Sequence, residues 1–162
     1  MKKLILTGIF TMVAGLGVAG YAAGPVLAGD DMVPPVKDAA VIKECGACHM
    51  VFQPAFLPAR SWEKMMGGLK DHFGENAELS PATAQAITDY LTANANDKGK
   101  SRGKELSAAE APLRITETPW FKHKHGKKDR LSPATLKRRN AKSAADCKAC
   151  HKEADKGFYE DD

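Results

Sequence analysis

All four cysteines of the chain sit in two pentapeptides, Cys45-Gly46-Ala47-Cys48-His49 and Cys147-Lys148-Ala149-Cys150-His151. Two cysteines separated by two residues and followed at once by histidine form the attachment pattern of c-type haem. The sulfurs make thioethers with the two vinyl groups of one porphyrin, and the adjoining imidazole then lies beneath the iron as its proximal ligand. Paired Cys-x-x-Cys also serves zinc, but zinc pairs are usually about 15 to 20 residues apart, whereas 98 residues separate Cys48 from Cys147. The pattern therefore predicts two covalently attached c-type haems, ahead of a zinc site or a pair of structural disulfides.

The chain has 162 residues and a net charge of +4, which is enough for one or two small domains. Lys2 and Lys3 precede an apolar run from Leu4 to Ala19, and Val26-Leu27-Ala28 supplies small residues before Gly29. That is the form of a secretory signal, with residues 1–28 as the leader and a second possible cut after Ala22. The apolar run is short and glycine-interrupted for a membrane span. Export agrees with haem attachment outside the bacterial inner membrane, so the expected compartment is the periplasm. Nucleic acid is a poor partner for an exported haem protein. The 134 residues after Ala28 bury little apolar surface alone, so the haems are expected to complete the core.

Along the mature chain, Asp30 to Pro35 reads as a mobile lead. Asp38 caps a predicted helix from Ala39 to Cys48, and Met50 to Pro58 reads as irregular, with Phe52 and Phe56 as candidate walls for the first haem. Ser61 is the expected cap of a second helix, on which Trp62, Met65, Met66, Leu69, His72 and Phe73 recur at steps of three and four. His72 on that face is a candidate distal iron ligand. Met65 and Met66 compete with it, since His/Met coordination is the common arrangement with a single haem. Leu79-Ser80-Pro81-Ala82-Thr83, with serine as cap and proline at the first helical position, predicts a third helix to about Asn94, with Ala84, Ile87, Tyr90 and Leu91 on one face. The same five residues return at Leu131-Ser132-Pro133-Ala134-Thr135 and predict a short helix to about Asn140.

The polar and basic run from Asn94 to Lys104 reads as a linker. It separates an N-terminal haem half, 29–97, from a C-terminal one, 107–162, with 98–106 as the basic connection. Residues 112–120, with prolines at both ends, are expected to be extended or turning. His123 and His125 follow, both candidates for the second distal ligand. Ser143-Ala144-Ala145-Asp146 reads as a helix start carrying Cys147 to His151, and Phe158 to Asp162 as a frayed tail.

Taken together, Cys45 to His49, Trp62 with Met65, the string Leu69-Lys70-Asp71-His72-Phe73-Gly74-Glu75-Asn76-Ala77, Arg114-Ile115-Thr116-Glu117-Thr118-Pro119-Trp120 and the terminal Cys147 to His151 resemble the small bacterial dihaem cytochromes c. The resemblance covers nearly all of the mature chain, and Asp-His-Phe-Gly-Glu-Asn is its most specific part. It implies an N-terminal half like a class I cytochrome c and two histidines on each iron: His49 with His72, and His151 with a histidine after the Thr-Pro-Trp segment. His125 is chosen over His123. It stands six residues before Leu131, much as His72 stands seven before Leu79, and the family's histidine lies at the end of this short segment. Gly126 beside it lets the chain turn away. The family also includes electron donors to an oxygen-binding monohaem cytochrome, the sphaeroides haem protein.

The reading is an all-α periplasmic electron carrier, monomeric, with redox proteins as partners and no substrate of its own. Two other classes compete with it. A dihaem peroxidase-like enzyme needs an iron with an open position, and a haem-based ligand binder or sensor needs one readily displaced axial ligand.

Overall fold

The structure is a computed structural model that describes residues 32–98, 106–107, 109–127 and 129–160. The leader and most of the basic connection lie outside the described residues. Within them the fold is helical, with five α-helices, short 3-10 turns and two isolated bridges instead of strands.

Helix α1 spans Ala39–Cys45, and the Asp38 carboxylate accepts the Val41 N–H at 2.9 Å as the sequence predicts. It stops three residues short of the expected end, because Gly46 closes the last turn onto the Ile42 carbonyl and leaves Cys48 and His49 on a turn. Helix α2 spans Ala59–Met66 and is not capped by Ser61. Pro58 sets the extended entry, and the Asp97 carboxylate accepts the Ala59 N–H from across the molecule at 3.1 Å. Ser61 lies inside the helix, buried, its hydroxyl without a partner among the described residues.

The expected single face from Trp62 to Phe73 is broken at Gly67 and Gly68. Each glycine costs a helix about 1 kcal/mol, and the chain leaves α2 there, makes a 3-10 turn at Leu69–Asp71 and delivers His72 on a tight loop. Helix α3 spans Pro81–Ala93 with Ser80 accepting the Thr83 N–H, as predicted. Ile87 and Leu91, one turn apart on α3, are buried with Val41 of α1, Trp62 of α2, Leu57 and Ala95. Each such side chain contributes about 1.5–3 kcal/mol on burial. This cluster is the core behind the first pentapeptide.

The C-terminal half holds α4, Pro119–His125, and α5, Pro133–Arg138. The sequence reading missed α4, yet Thr118-Pro119 starts it as Ser80-Pro81 and Ser132-Pro133 start α3 and α5: Thr118 Oγ1 accepts the Phe121 N–H at 3.2 Å. Helix α5 ends two residues before the expected Asn140. No α-helix carries the second pentapeptide, because Asp146 turns back to accept the Lys142 N–H and only a 3-10 turn follows at Cys147–Ala149.

Neither end of the described chain is loose. Val33 is fully buried and donates its N–H to the Gly157 carbonyl at 2.8 Å, and Met32 pairs with Phe158. Gly157 has a φ of +90°, and a Cβ there would collide with the Val33 carbonyl, so only glycine fits. Between the halves, the fully buried Gln53 donates to the Ala154 carbonyl at 2.7 Å and accepts from the Tyr159 hydroxyl at 2.6 Å. Arg60 reaches the Ser107 and Glu110 carbonyls.

Candidate haem sites

At the first pentapeptide the His49 and His72 rings face each other with centroids 6.2 Å apart and planes 22° from parallel. At the second, the centroids of His125 and His151 are 6.1 Å apart, with planes 81° apart. A metal–imidazole bond is about 2 Å long and the ring centre lies about 1.1 Å behind the bonding nitrogen, so two imidazoles on opposite sides of one metal have centres about 6 Å apart. Both pairs meet that requirement.

Hydrogen bonds fix three of the four rings. His49 Nδ1 lies 2.7 Å from the Met50 carbonyl, His125 Nδ1 3.0 Å from the Phe121 carbonyl and His151 Nδ1 3.0 Å from the Glu160 carbonyl. A carbonyl only accepts, so each Nδ1 carries the proton and each Nε2 presents a lone pair, the tautomer a metal takes. His72 is positioned by its backbone instead. His72 and Glu75 exchange N–H to carbonyl bonds of 2.7 and 3.2 Å around a loop in which Gly74 has a φ of +99° and Phe73 a φ of 57°. The Asp71 carboxylate accepts the Gly74 N–H at 3.0 Å, and the Arg114 guanidinium covers the Phe73 ring at 4.1 Å. Burial, and then repulsion from His49, lower the pKa of His72 and favour its neutral form.

Phe52 packs against His49 with centroids 5.1 Å apart, as expected of a wall. Phe56 does not belong to that site. It is buried against Trp120 at 5.6 Å and Tyr159 at 5.2 Å and lines the second site, because the 3-10 turn at Pro54–Phe56 sends it across the molecule. There a cavity of about 730 Å³ lies beside Cys147, Cys150 and the His125/His151 pair, walled also by Leu136 and Arg139, and of the size cofactor sites have. Phe121 stacks on His125 at 4.1 Å, and Tyr159 meets His151 edge-on at 5.5 Å. Gly126 ends α4 where a Cβ would strike the Lys122 carbonyl. Burial pushes the Cys147 thiol up to about 11, and burial also raises Cys45.

The other candidates fall elsewhere. Met65 and Met66 pack against the α2–α3 core, which is the ordinary use of methionine. His123 is exposed on α4 and lines a smaller cavity of about 300 Å³ beside the second pair. Gln53, Phe121 and Tyr159 escaped the sequence reading. Thr118-Pro119 as a helix start would have put Phe121 one turn before His125, but nothing local marks Gln53 or Tyr159.

A helical frame with two haem-attachment pentapeptides, each with its histidine facing a second one across the width of a metal, defines a c-type cytochrome for two haems. The dihaem cytochrome c family model matches residues 41–159, and the chain belongs to that family. A diheme cytochrome c from Rhodobacter sphaeroides is 44% identical and superimposes with a TM-score of 0.70 over 78% of this chain and 99% of its own. The diheme cytochrome c of Shewanella baltica OS155 is 31% identical, with a TM-score of 0.59 over 75% of this chain and 86% of its own. No curated protein matches the chain. Two covalently attached c-type haems are thus its cofactors, and haem-based electron transfer is its role.

Proposed function

We propose that the protein is a periplasmic carrier that passes single electrons through two bis-histidine haems to another haem protein. Cys45 and Cys48 would hold the first haem, with His49 proximal and His72 distal; Cys147 and Cys150 would hold the second, with His151 proximal and His125 distal. The observation that carries this reading is the matched pair of centroid separations, 6.2 and 6.1 Å. Haem supplies an iron that shuttles between ferrous and ferric states, and two imidazoles without a methionine favour a low potential.

What the chain does is hold the iron's surroundings still. The Met50, Phe121 and Glu160 carbonyls keep three imidazoles in one tautomer and orientation, so little rearrangement accompanies each change of charge. With His49 and His72 holding one iron and His151 and His125 the other, neither haem would keep a place for peroxide or a gaseous ligand, which would separate a carrier from a peroxidase or a sensor. Residues 1–28 act as the export leader, and 29–97 and 107–162 as the two haem-bearing halves joined through 98–106. Among the described residues no helix is long and apolar enough to cross a membrane. The acceptor is another haem protein, an oxygen-binding monohaem cytochrome by the resemblance of the chain, and the donor is a membrane or soluble redox protein. Carbon monoxide added to the dithionite-reduced holoprotein tests the reading. Neither haem should change its spectrum, and prompt binding at one or both would assign the protein to ligand chemistry.

A further inference from the structure

The charge of this molecule is sharply segregated. Residues 119–142 contain nine lysines and arginines and one acidic residue, Asp129, whereas residues 32–98 contain six basic and eight acidic residues. The basic stretch is the one that builds the distal side of the second haem site. Arg130, Arg138 and Arg139 line its main cavity, and Lys124 and Lys127 line the smaller one adjoining it. Lys127, Lys137, Arg138 and Lys142 are exposed. A haem brings two propionate carboxylates, which would leave this stretch at about +6, far more than its own cofactor neutralises.

We propose that the C-terminal haem is the electron port of the protein, and that the cationic face framing it docks a redox protein whose cofactor edge is ringed by carboxylates. The proposal rests on the carrier reading above. Complementary charge around the port steers such a partner, raises its association rate by about 10 to 1,000-fold and makes that rate fall with salt. An anionic membrane is the other surface a cationic face meets. Membrane insertion also needs apolar side chains beside the charges, and the exposed large apolar residues, Met32, Ile42, Phe73 and Phe158, all lie outside 119–142. The N-terminal haem half, with its acidic excess, would repel the same partner and is left to face the donor.

The test uses dithionite-reduced holoprotein and two one-electron acceptors of opposite charge, plastocyanin as an acidic protein and mitochondrial cytochrome c as a basic one, followed by stopped flow. Plastocyanin reduction should slow about tenfold or more from low to high salt. The triple variant Lys127→Glu/Lys137→Glu/Lys142→Glu should slow it about tenfold at low salt and flatten the salt dependence. The matched variant Lys37→Glu/Lys64→Glu/Lys70→Glu, carrying the same charge change on the N-terminal half, should change the rate less than twofold. Equal effects of the two variants, or a salt-independent plastocyanin rate, would overturn the port assignment while leaving the carrier reading intact. Failure to reduce either acceptor would instead overturn the carrier reading. Co-sedimentation with phosphatidylglycerol vesicles, lost in the first triple variant, together with an unchanged plastocyanin rate, would reassign the face to lipid.

Discussion

Replacing Gln53 by alanine should destabilise the holoprotein by about 3–5 kcal/mol. Gln53 is fully buried, and both ends of its amide are spoken for by the other half of the chain, at the Ala154 carbonyl and the Tyr159 hydroxyl. Two hydrogen bonds of about 1 kcal/mol each are lost, and leaving the partner of a buried bond unsatisfied costs about 1–3 kcal/mol. Deleting buried methylenes leaves a cavity that adds to the loss. At a few degrees per kcal/mol for a chain of this size, melting should fall by about 10–20 °C. Thermal unfolding followed by far-ultraviolet circular dichroism reads the shift. Tyr159→Phe keeps the ring against Phe56 and His151 but strands the Gln53 carbonyl oxygen, and should cost about 1–3 kcal/mol. Because the two side chains share one bond, the double variant should cost less than the sum, with a coupling of about 1 kcal/mol or more. A Gln53→Ala cost below about 1 kcal/mol, or strict additivity, would refute the idea that this amide ties the halves together.

Other outcomes are equally specific. Cys48→Ser and Cys150→Ser should each leave one haem per chain held by a single thioether with one vinyl group intact, read as a red-shifted component in the pyridine haemochrome spectrum, and the two double variants Cys45→Ser/Cys48→Ser and Cys147→Ser/Cys150→Ser should each lower extraction-resistant haem from two per chain to one. His72→Ala and His125→Ala should each make one haem high-spin and open to carbon monoxide, while His123→Ala, Met65→Ala and Met66→Ala leave the visible spectrum unchanged; the opposite pattern at 123 and 125 would move the role to His123. Parallel imidazoles donate into the same iron d orbital and perpendicular ones into two, so the 22° and 81° ring angles should give two distinct ferric low-spin resonances, one rhombic and one strongly anisotropic. Two identical resonances would count against the geometry. Gly157→Ala should destabilise by about 1–3 kcal/mol, from a left-handed backbone together with the clash at Val33, measured by the same melting curve.

What the sequence made legible is what acts locally. The pentapeptides are read from five consecutive residues, and Ser80-Pro81 and Ser132-Pro133 start their helices through contacts three residues long. Asp38 caps α1 for the same reason. The failures are contacts that span the chain. Ser61 looked like a cap because the true one, Asp97, is 38 residues from the amide it serves. Phe56 was given to the nearer haem, but its aromatic partners come from residues 120 and 159. His72 was expected on a helical face, and the helix that would have carried it ends at the Gly67-Gly68 pair. The His125 ring centre comes to lie 6.1 Å from that of His151, on a helix that the sequence reading does not predict.

The Val33–Gly157 bond ties the start of the described chain to its end. Val33 and Gly157 lie near opposite ends of the described chain, so this contact closes a very wide loop. The Cys45–Cys48 half packs its core from α1, α2 and α3, which are close in sequence. The second half has only short helices and a large cavity, and its enclosing tail carries both Tyr159 and the Glu160 carbonyl that orients His151. The tail held to Val33 by that bond is therefore also a wall of the second site, so a contact between the two ends of the described chain steadies the ring of His151.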